Sequence, residues 1–284
     1  MDYHFAEDVK AIREILGVTQ AGLAEGIGTQ QVTLSRSETG RTKPSDRLLE
    51  YVYGFAYEKN IRLGQLKEML CRERIEPGHR LLFYGAGNAM EINSIFSISE
   101  TTNNIGQNLC AVENYEQAVS DVIGYRKSSV CYLDFDEQDL KCKKYSVNRG
   151  WILTHAYYHG GLEQYESHPL IQKLIEESQS VDYLIEPTVD NRMFQIINEF
   201  ISGEITDEQC RYCLAAANPE NRYVFTTEAA RKNLKILERN YISAIEKEYY
   251  RKSCDEEKRL VDEQVKAVMI KYRGKGRYIN EILK

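Results

Sequence analysis

The stretch from Thr19 to Pro44, TQAGLAEGIGTQQVTLSRSETGRTKP, reads as two short helices joined by a tight turn and followed by a basic loop. Thr19 is placed to cap the first helix, with Gln20 in its opening turn. Leu23, Ala24 and Ile27 form its apolar face. Gly28 supplies the turn, where the backbone must take a positive φ. The second helix is expected over residues 30–37. In it Leu34 faces inward, Gln31, Thr33 and Arg36 face outward, and Val32 stands apart from the buried pattern.

The flanking residues extend this reading. Phe5, Val9, Ile12, Ile15 and Leu16 recur at helical spacing over residues 5–16 and would pack beneath the two short helices. A further helix is expected from Ser45, its cap, to Tyr57, and another over residues 64–70. Five helices in about 70 residues, with the Glu38–Gly40 turn and Lys43-Pro44, resemble the helix-turn-helix domain of phage-repressor type. That resemblance implies one short helix seated in the major groove of double-stranded DNA. Gln20 and the amides at its helix start would hold a phosphate. Gln30, Gln31, Thr33 and Arg36 would meet base edges, Gln suiting adenine and Arg suiting guanine. Arg41 and Lys43 would hold the backbone and make binding salt-dependent. A dimer on a two-fold site is expected. The alternative is a helical bundle that serves only as an interaction module.

Charge restricts how such a protein meets nucleic acid. The 284-residue chain carries a formal net charge of −6. A protein that coats nucleic acid is basic overall, so contact here must be local. Residues 1–75 are neutral in sum, with eleven Lys/Arg against eleven Asp/Glu. In the loop itself Arg36, Arg41, Lys43 and Arg47 outnumber Glu38 and Asp46. No apolar run is long enough to cross a bilayer, and the acidic start MDYHFAEDVK has no signal-peptide core. A soluble, cytoplasmic protein without membrane contact is expected. The seven cysteines follow no framework and read as reduced thiols.

Beyond residue 72 the character changes. Residues 72–78, RERIEPG, read as a linker. Short β-rich runs lie at 80–84, 129–135, 181–186 and 222–226, with helical stretches at 115–124, 151–158, 169–178, 192–202 and 206–216. Two charged helices are expected at 237–251 and 256–269. The fold class is α+β: a helix-turn-helix domain over 1–72, a mixed α/β domain over 79–240 and a helical extension over 241–284.

Taken by themselves, these later residues specify little chemistry. Cys210 and Cys213 are a lone pair and cannot complete a tetrahedral zinc site. His155 and His159 share a helical face, yet no acid is interposed in the metalloprotease manner; partly buried histidines are the simpler reading, and no metal site is expected. Gly85-Ala86-Gly87 follows a strand but lacks the third glycine and the βαβ context of a dinucleotide fingerprint.

From about Leu81 to Leu237 the chain resembles a family of bacterial ADP-ribosyltransferase-like domains of unknown function. The counterparts are Leu82-Phe83-Tyr84-Gly85-Ala86, the run from Asn104 to Ala111, Glu116-Gln117-Ala118, Asp190-Asn191-Arg192 and Arg222-Tyr223-Val224-Phe225. The resemblance implies a His-Tyr-Gln/Glu triad acting on NAD, but the three positions here read Tyr84, Cys110 and Arg222. Cysteine offers no ring to stack on nicotinamide. Arginine places positive charge where positive charge develops. The site is therefore expected to be degenerate, with Tyr84, Gly85 and Arg222 left to bind NAD or ADP-ribose without turnover, or else to plug the cleft.

Twenty tyrosines against one tryptophan suggest half-buried rings with wet hydroxyls. The tail KYRGKGR, residues 271–277, adds a phosphate contact or is a disordered end. The expected function is a DNA-binding transcriptional regulator whose second domain senses a ligand or dimerises. A homo-oligomer is expected, since a single helix-turn-helix domain binds weakly, and the resemblance implies a toxin or antitoxin partner, in a toxin–antitoxin or phage-defence locus. The alternatives are an active NAD-dependent ADP-ribosyltransferase and an interaction protein that neutralises an active paralogue.

Overall fold

The computed structural model describes residues 3–87 and 109–284. The chain forms two compact units. The first takes in Met1–Ile92, Val112–Asp136 and Leu234–Cys254; the second takes in Asn93–Ala111, Glu137–Asn233 and Asp255–Lys284.

Caps and glycines set the start of the first unit. Helix α1 (Phe5–Leu16) ends at Gly17, whose φ of 63° closes the last turn. Helix α2 (Gln20–Gly26) is capped by the Thr19 hydroxyl, which accepts from the Gly22 amide at 3.1 Å. Gly28, at φ 65°, makes the turn to α3 (Gln31–Glu38). The Thr29 amide reaches back to the Ala24 carbonyl at 2.8 Å, satisfying an end that would otherwise be orphaned. Helix α4 (Asp46–Glu58) is capped by Ser45, and α5 (Leu63–Arg74) completes the bundle. Val9, Ile12, Leu23, Ala24, Leu34, Leu49 and Val52 fill its core. Ile15, expected on the buried face of α1, is 55% exposed, because at helical spacing it falls to the side of the stripe Phe5, Val9, Ile12 and Leu16 that meets that core.

The bundle is continuous with a sheet. Strand β1 (His79–Gly87) pairs antiparallel with β3 (Ser128–Asp136), from His79 opposite Asp136 to Gly87 opposite Ser128. Strand β3 pairs in turn with β7 (Leu234–Tyr241), with an irregularity between Tyr132 and Leu133. Phe83 also pairs with Val112, the last residue of β2 (Leu109–Val112). Helix α6 (Tyr115–Ser120) packs on β1. The expected helix over 237–251 is therefore corrected: residues 234–241 are strand. The expected linker is also shorter than its composition suggests. Residues 72–74 are the last turn of α5, and Cys71 is buried with Leu81, Phe83 and Tyr132.

Buried charge ties the bundle to β7. Lys67 Nζ on α5 donates to Asp8 Oδ2 on α1 at 2.7 Å and to Glu238 Oε1 on β7 at 3.4 Å, as well as to the Arg239 carbonyl at 3.0 Å. His4 Nδ1 lies 2.7 Å from the other Glu238 oxygen. Tyr241 sits in the bundle core, and its hydroxyl donates to Glu50 on α4 at 2.9 Å.

In the second unit β4 (Cys142–Lys144) runs parallel to β5 (Tyr183–Pro187), and β5 antiparallel to β6 (Asn221–Phe225). The strand order is β4-β5-β6-β2. Around these strands pack α7 (Arg149–Tyr158), α8 (Pro169–Gln179), α9 (Asn191–Ile201) and α10 (Asp207–Ala216), over a core that includes Trp151, Leu184, Ile197, Phe200 and Val224. The short helix α11 (Glu228–Lys232) leads into β7. In place of two charged helices there is one of 28 residues, α12 (Ala244–Lys271). Residues 271–277 are not a disordered end: the Asp207 amide donates to the Arg277 carbonyl at 2.9 Å, and the short helix α13 (Ile279–Ile282) follows with Ile279 buried.

Candidate nucleic-acid interface

Helix α3 is anchored by one buried apolar side chain and one network of polar ones. Leu34 is fully buried, which turns the residues at i−2, i−1 and i+2 outward, while Gln31 stands in the open first turn. Gln31, Thr33 and Arg36 are exposed, as is Gln30 at the N-cap position, where its side chain makes no capping bond. Val32 is 58% exposed on the same outer surface. A valine there is suited to the methyl group of thymine, a contact that charge and hydrogen-bond reasoning passes over.

The pitch of α3 against α2 is held by Glu38. Its Oε1 accepts from Arg13 Nη1 on α1 at 2.8 Å and its Oε2 from Gln20 Nε2 on α2 at 2.5 Å. Gln31 Nε2 in turn donates to Gln20 Oε1 at 3.5 Å. Gln20 is thus half-buried and engaged at both ends of its amide, so it positions the outer face more than it offers a phosphate contact. Glu38, absent from the sequence-derived site, links all three helices. Its signal in the sequence is an acid on a helix otherwise committed to basic and neutral polar residues.

After α3 the chain turns at Gly40, φ 71°, and the Thr42 amide donates to the Arg36 carbonyl at 3.2 Å. Arg41 and Lys43 lie exposed on this loop. Arg36 and Arg41 form no ion pair among the described residues. The arrangement is a short reading surface with positive charge on its C-terminal side, on a frame fixed by three intramolecular hydrogen bonds.

The positions aligned with a transferase triad are differently placed. Tyr84 lies half-buried on β1 in the first unit, opposite Cys131. Cys110 and Arg222 lie on β2 and β6 of the second unit, each half-buried. Arg222 stands opposite Glu186 in the β5–β6 register and donates to its Oε1 from Nε at 2.9 Å and Nη2 at 2.6 Å. The Trp151 indole donates to the other oxygen at 3.3 Å. Glu186 is 2% exposed, so the guanidinium balances a buried charge. Gly85 and Gly87 have packing reasons of their own. A Cβ at Gly85 would lie 2.5 Å from the Ala118 carbonyl oxygen, and one at Gly87 would lie 2.4 Å from the Tyr125 ring. Of the Asn104–Ala111 run, residues 104–108 lie outside the described residues. Asp190 of Asp190-Asn191-Arg192 caps α9 by accepting from the Met193 amide at 2.8 Å, and Arg192 pairs with Asp262.

The remaining sequence candidates also have structural roles. The His155 and His159 rings lie 4.3 Å apart, and burial, with His159 and Arg222 nearby, pushes His155 down to about 3. Cys210 and Cys213 are buried on α10, with burial pushing both thiols up. Tyr115 and Tyr132 are buried and stacked, not half-wet as their abundance suggested.

A helix-turn-helix family model matches residues 9–50, the segment from α1 into α4. No curated protein and no solved structure gives a significant match to the chain. The chain thus carries an N-terminal helix-turn-helix. Among the described residues no helix is long and apolar enough to cross a membrane.

Proposed function

We propose that the protein is a sequence-specific binder of double-stranded DNA that regulates transcription, reading the major groove with α3. The observation that carries this is the exposed row Gln31, Val32, Thr33 and Arg36 on a helix whose pitch Glu38 holds. Selection of bound duplexes from a random pool, followed by affinity measurements on the selected site, tests it. Arg36→Ala should weaken the selected site by roughly 5- to 150-fold, the worth of about 1–3 kcal/mol for a bidentate base contact, and relax preference at one base pair. Arg41→Ala should instead weaken all duplexes alike and lower the salt slope by about 0.9. Selection without a preferred sequence, and Arg36→Ala indistinguishable from wild type, would refute the reading.

The remainder of the chain serves this function as a non-catalytic ligand-sensing or dimerisation module. The engagement of Arg222 by buried Glu186 supports that role, since it gives the arginine a structural partner. Binding as a homodimer to a two-fold site, and control of a toxin–antitoxin or phage-defence locus, complete the proposal. Nicotinamide release from NAD by the purified protein would overturn the non-catalytic part and leave the DNA reading standing.

A further inference from the structure

Residues 271–277, KYRGKGR, place four cations in seven positions of a chain whose net charge is −6. The loop they form is pinned to the start of α10. Thr206 Oγ1 donates to the Lys275 carbonyl, the Arg277 amide donates to Asp207 Oδ1 at 2.8 Å, and the Gly274 amide donates to Gln209 Oε1 at 3.3 Å. Thr206 and Gln209 are also the two members of the α10 capping box, so one set of side chains starts one helix and orders the loop. Gly274 and Gly276 take φ values of 70° and 92°. At Gly276 a Cβ would lie 2.5 Å from Asp207 Oδ1, which leaves room for glycine alone.

With the backbone turned inward, the side chains of Lys271, Arg273, Lys275 and Arg277 are exposed, and none has an ion-pair partner among the described residues. Two neighbouring acids are otherwise engaged. Asp207 is buried and paired with Arg149, and Glu281 accepts from the Tyr278 amide. The Tyr212 and Tyr272 rings stack at 3.9 Å with 17° between their planes. Arg211 lies over Tyr212 at 4.4 Å, and Lys275 and Lys271 lie over Tyr272 at 5.0 and 5.4 Å. The ring pair thus seats Arg211, Lys271 and Lys275 over aromatic faces.

We infer that the 271–277 loop is a second DNA contact, which takes the phosphate backbone of a duplex independently of α3. Four unpaired cations on a pinned backbone, two of them seated over the Tyr272 ring, fit the negative charge of a phosphate backbone, and preorganisation lowers the ordering cost of binding. The loop presents point charges and no outward-facing amide row, so it contributes affinity without base preference. A lipid surface fits less well: the exposed aliphatic beside the loop is Ile270, at 77%, and one such side chain buries little in a membrane.

The test uses the full chain and a duplex of arbitrary sequence, with affinity read by anisotropy across a salt series. Lys271→Gln/Arg273→Gln/Lys275→Gln should bind every duplex more weakly and lower the salt slope by about 0.9 for each phosphate that the loop no longer neutralises. Lys271→Arg/Lys275→Arg, which keeps the charge, should retain the wild-type slope. Gln31→Ala/Arg36→Ala should lose any sequence preference yet keep the part of the slope that the loop variant removes, so failure at α3 and failure at the loop are read separately. An unchanged slope in the triple variant, with unfolding as in wild type, overturns the inference. So does binding to phosphatidylserine vesicles that the triple variant loses while its DNA slope stays as in wild type.

Discussion

The two units neutralise buried carboxylates in different ways. In the second, each acid has its own partly exposed arginine: Glu186 with Arg222 and Asp207 with Arg149. Each pair is a local solution at the edge of the core. In the first, one buried lysine serves two carboxylates, and Glu246 at the start of α12 is buried against a tyrosine, whose hydroxyl donates to it at 3.3 Å from Tyr115. The lysine joins α1, α5 and β7, so the helix-turn-helix is fastened to the sheet by charge that no single segment contains. The unit that carries the reading helix is thereby the one whose stability depends on shared ions, and the comparison can be tested by removing partners one at a time.

Lys67→Met should have the largest effect. It leaves Asp8 and Glu238 buried without their cation, a change worth about 3–5 kcal/mol of unfolding free energy. Burial already pushes Asp8 up against the pull of Lys67. At Glu238 burial pushes up as well, but Lys67, the Arg239 amide and His4 together hold the carboxyl below its usual range. Adding Asp8→Asn and Glu238→Gln to Lys67→Met should restore much of the loss in chemical denaturation, because the penalty comes from stranded charge. If the triple variant is no more stable than the single one, Lys67 acts through packing of its stem, and the contrast between the units fails.

Glu246 gives the next effect, with the opposite sign. Burial pushes its carboxyl up to about 8 from an ordinary value of 4.5, and Tyr115 and Arg62 pull it back only in part. Between those two values the folded chain keeps a proton that the unfolded chain has released. Stability from this group is therefore full below about pH 4.5 and is lost as pH rises through about 8. Glu246→Gln keeps the shape and the acceptor for Tyr115 without the charge. It should leave stability near pH 4.5 unchanged and raise it at pH 8 by on the order of 4 kcal/mol. Equal denaturation midpoints for the two proteins at pH 8 would contradict a buried, protonated carboxyl.

This charge arrangement also explains where the sequence was readable. The bundle was legible because its signals are local: Thr19 and Ser45 at helix starts, Gly28 at the turn, Leu34 between polar neighbours. Strand β7 was not. Its buried positions at period two include Leu234, Glu238 and Asn240. Two polar residues stand where alternation calls for apolar ones, because Lys67 and Tyr115 wait there from distant segments. The same holds for Arg222, whose partner is 36 residues away across a strand pair. A reading that matches one motif at a time sees an altered catalytic position, whereas the register shows a cross-strand ion pair. Glu38 was missed for a related reason, since its two partners lie on other helices.

Arg222→Met gives the smallest of the three effects and decides between those two views of the residue. If the arginine serves Glu186, its loss strands a carboxylate left, among the described residues, with the Trp151 indole, at about 2 kcal/mol of stability. Water reaches this pair more readily than it reaches Lys67, because the Arg222 side chain is partly exposed, which is why the expected loss is smaller. Glu186→Gln in the same background should recover stability by removing the stranded charge. DNA affinity should not move in either variant once both are measured well below their unfolding midpoints. If Glu186→Gln recovers nothing, while NAD or ADP-ribose protects the wild type against unfolding and not Arg222→Met, then the arginine holds a ligand. The one-to-one pairing that distinguishes the second unit would then belong to a nucleotide-binding site, and the contrast with the shared lysine would be one of function as well as of burial.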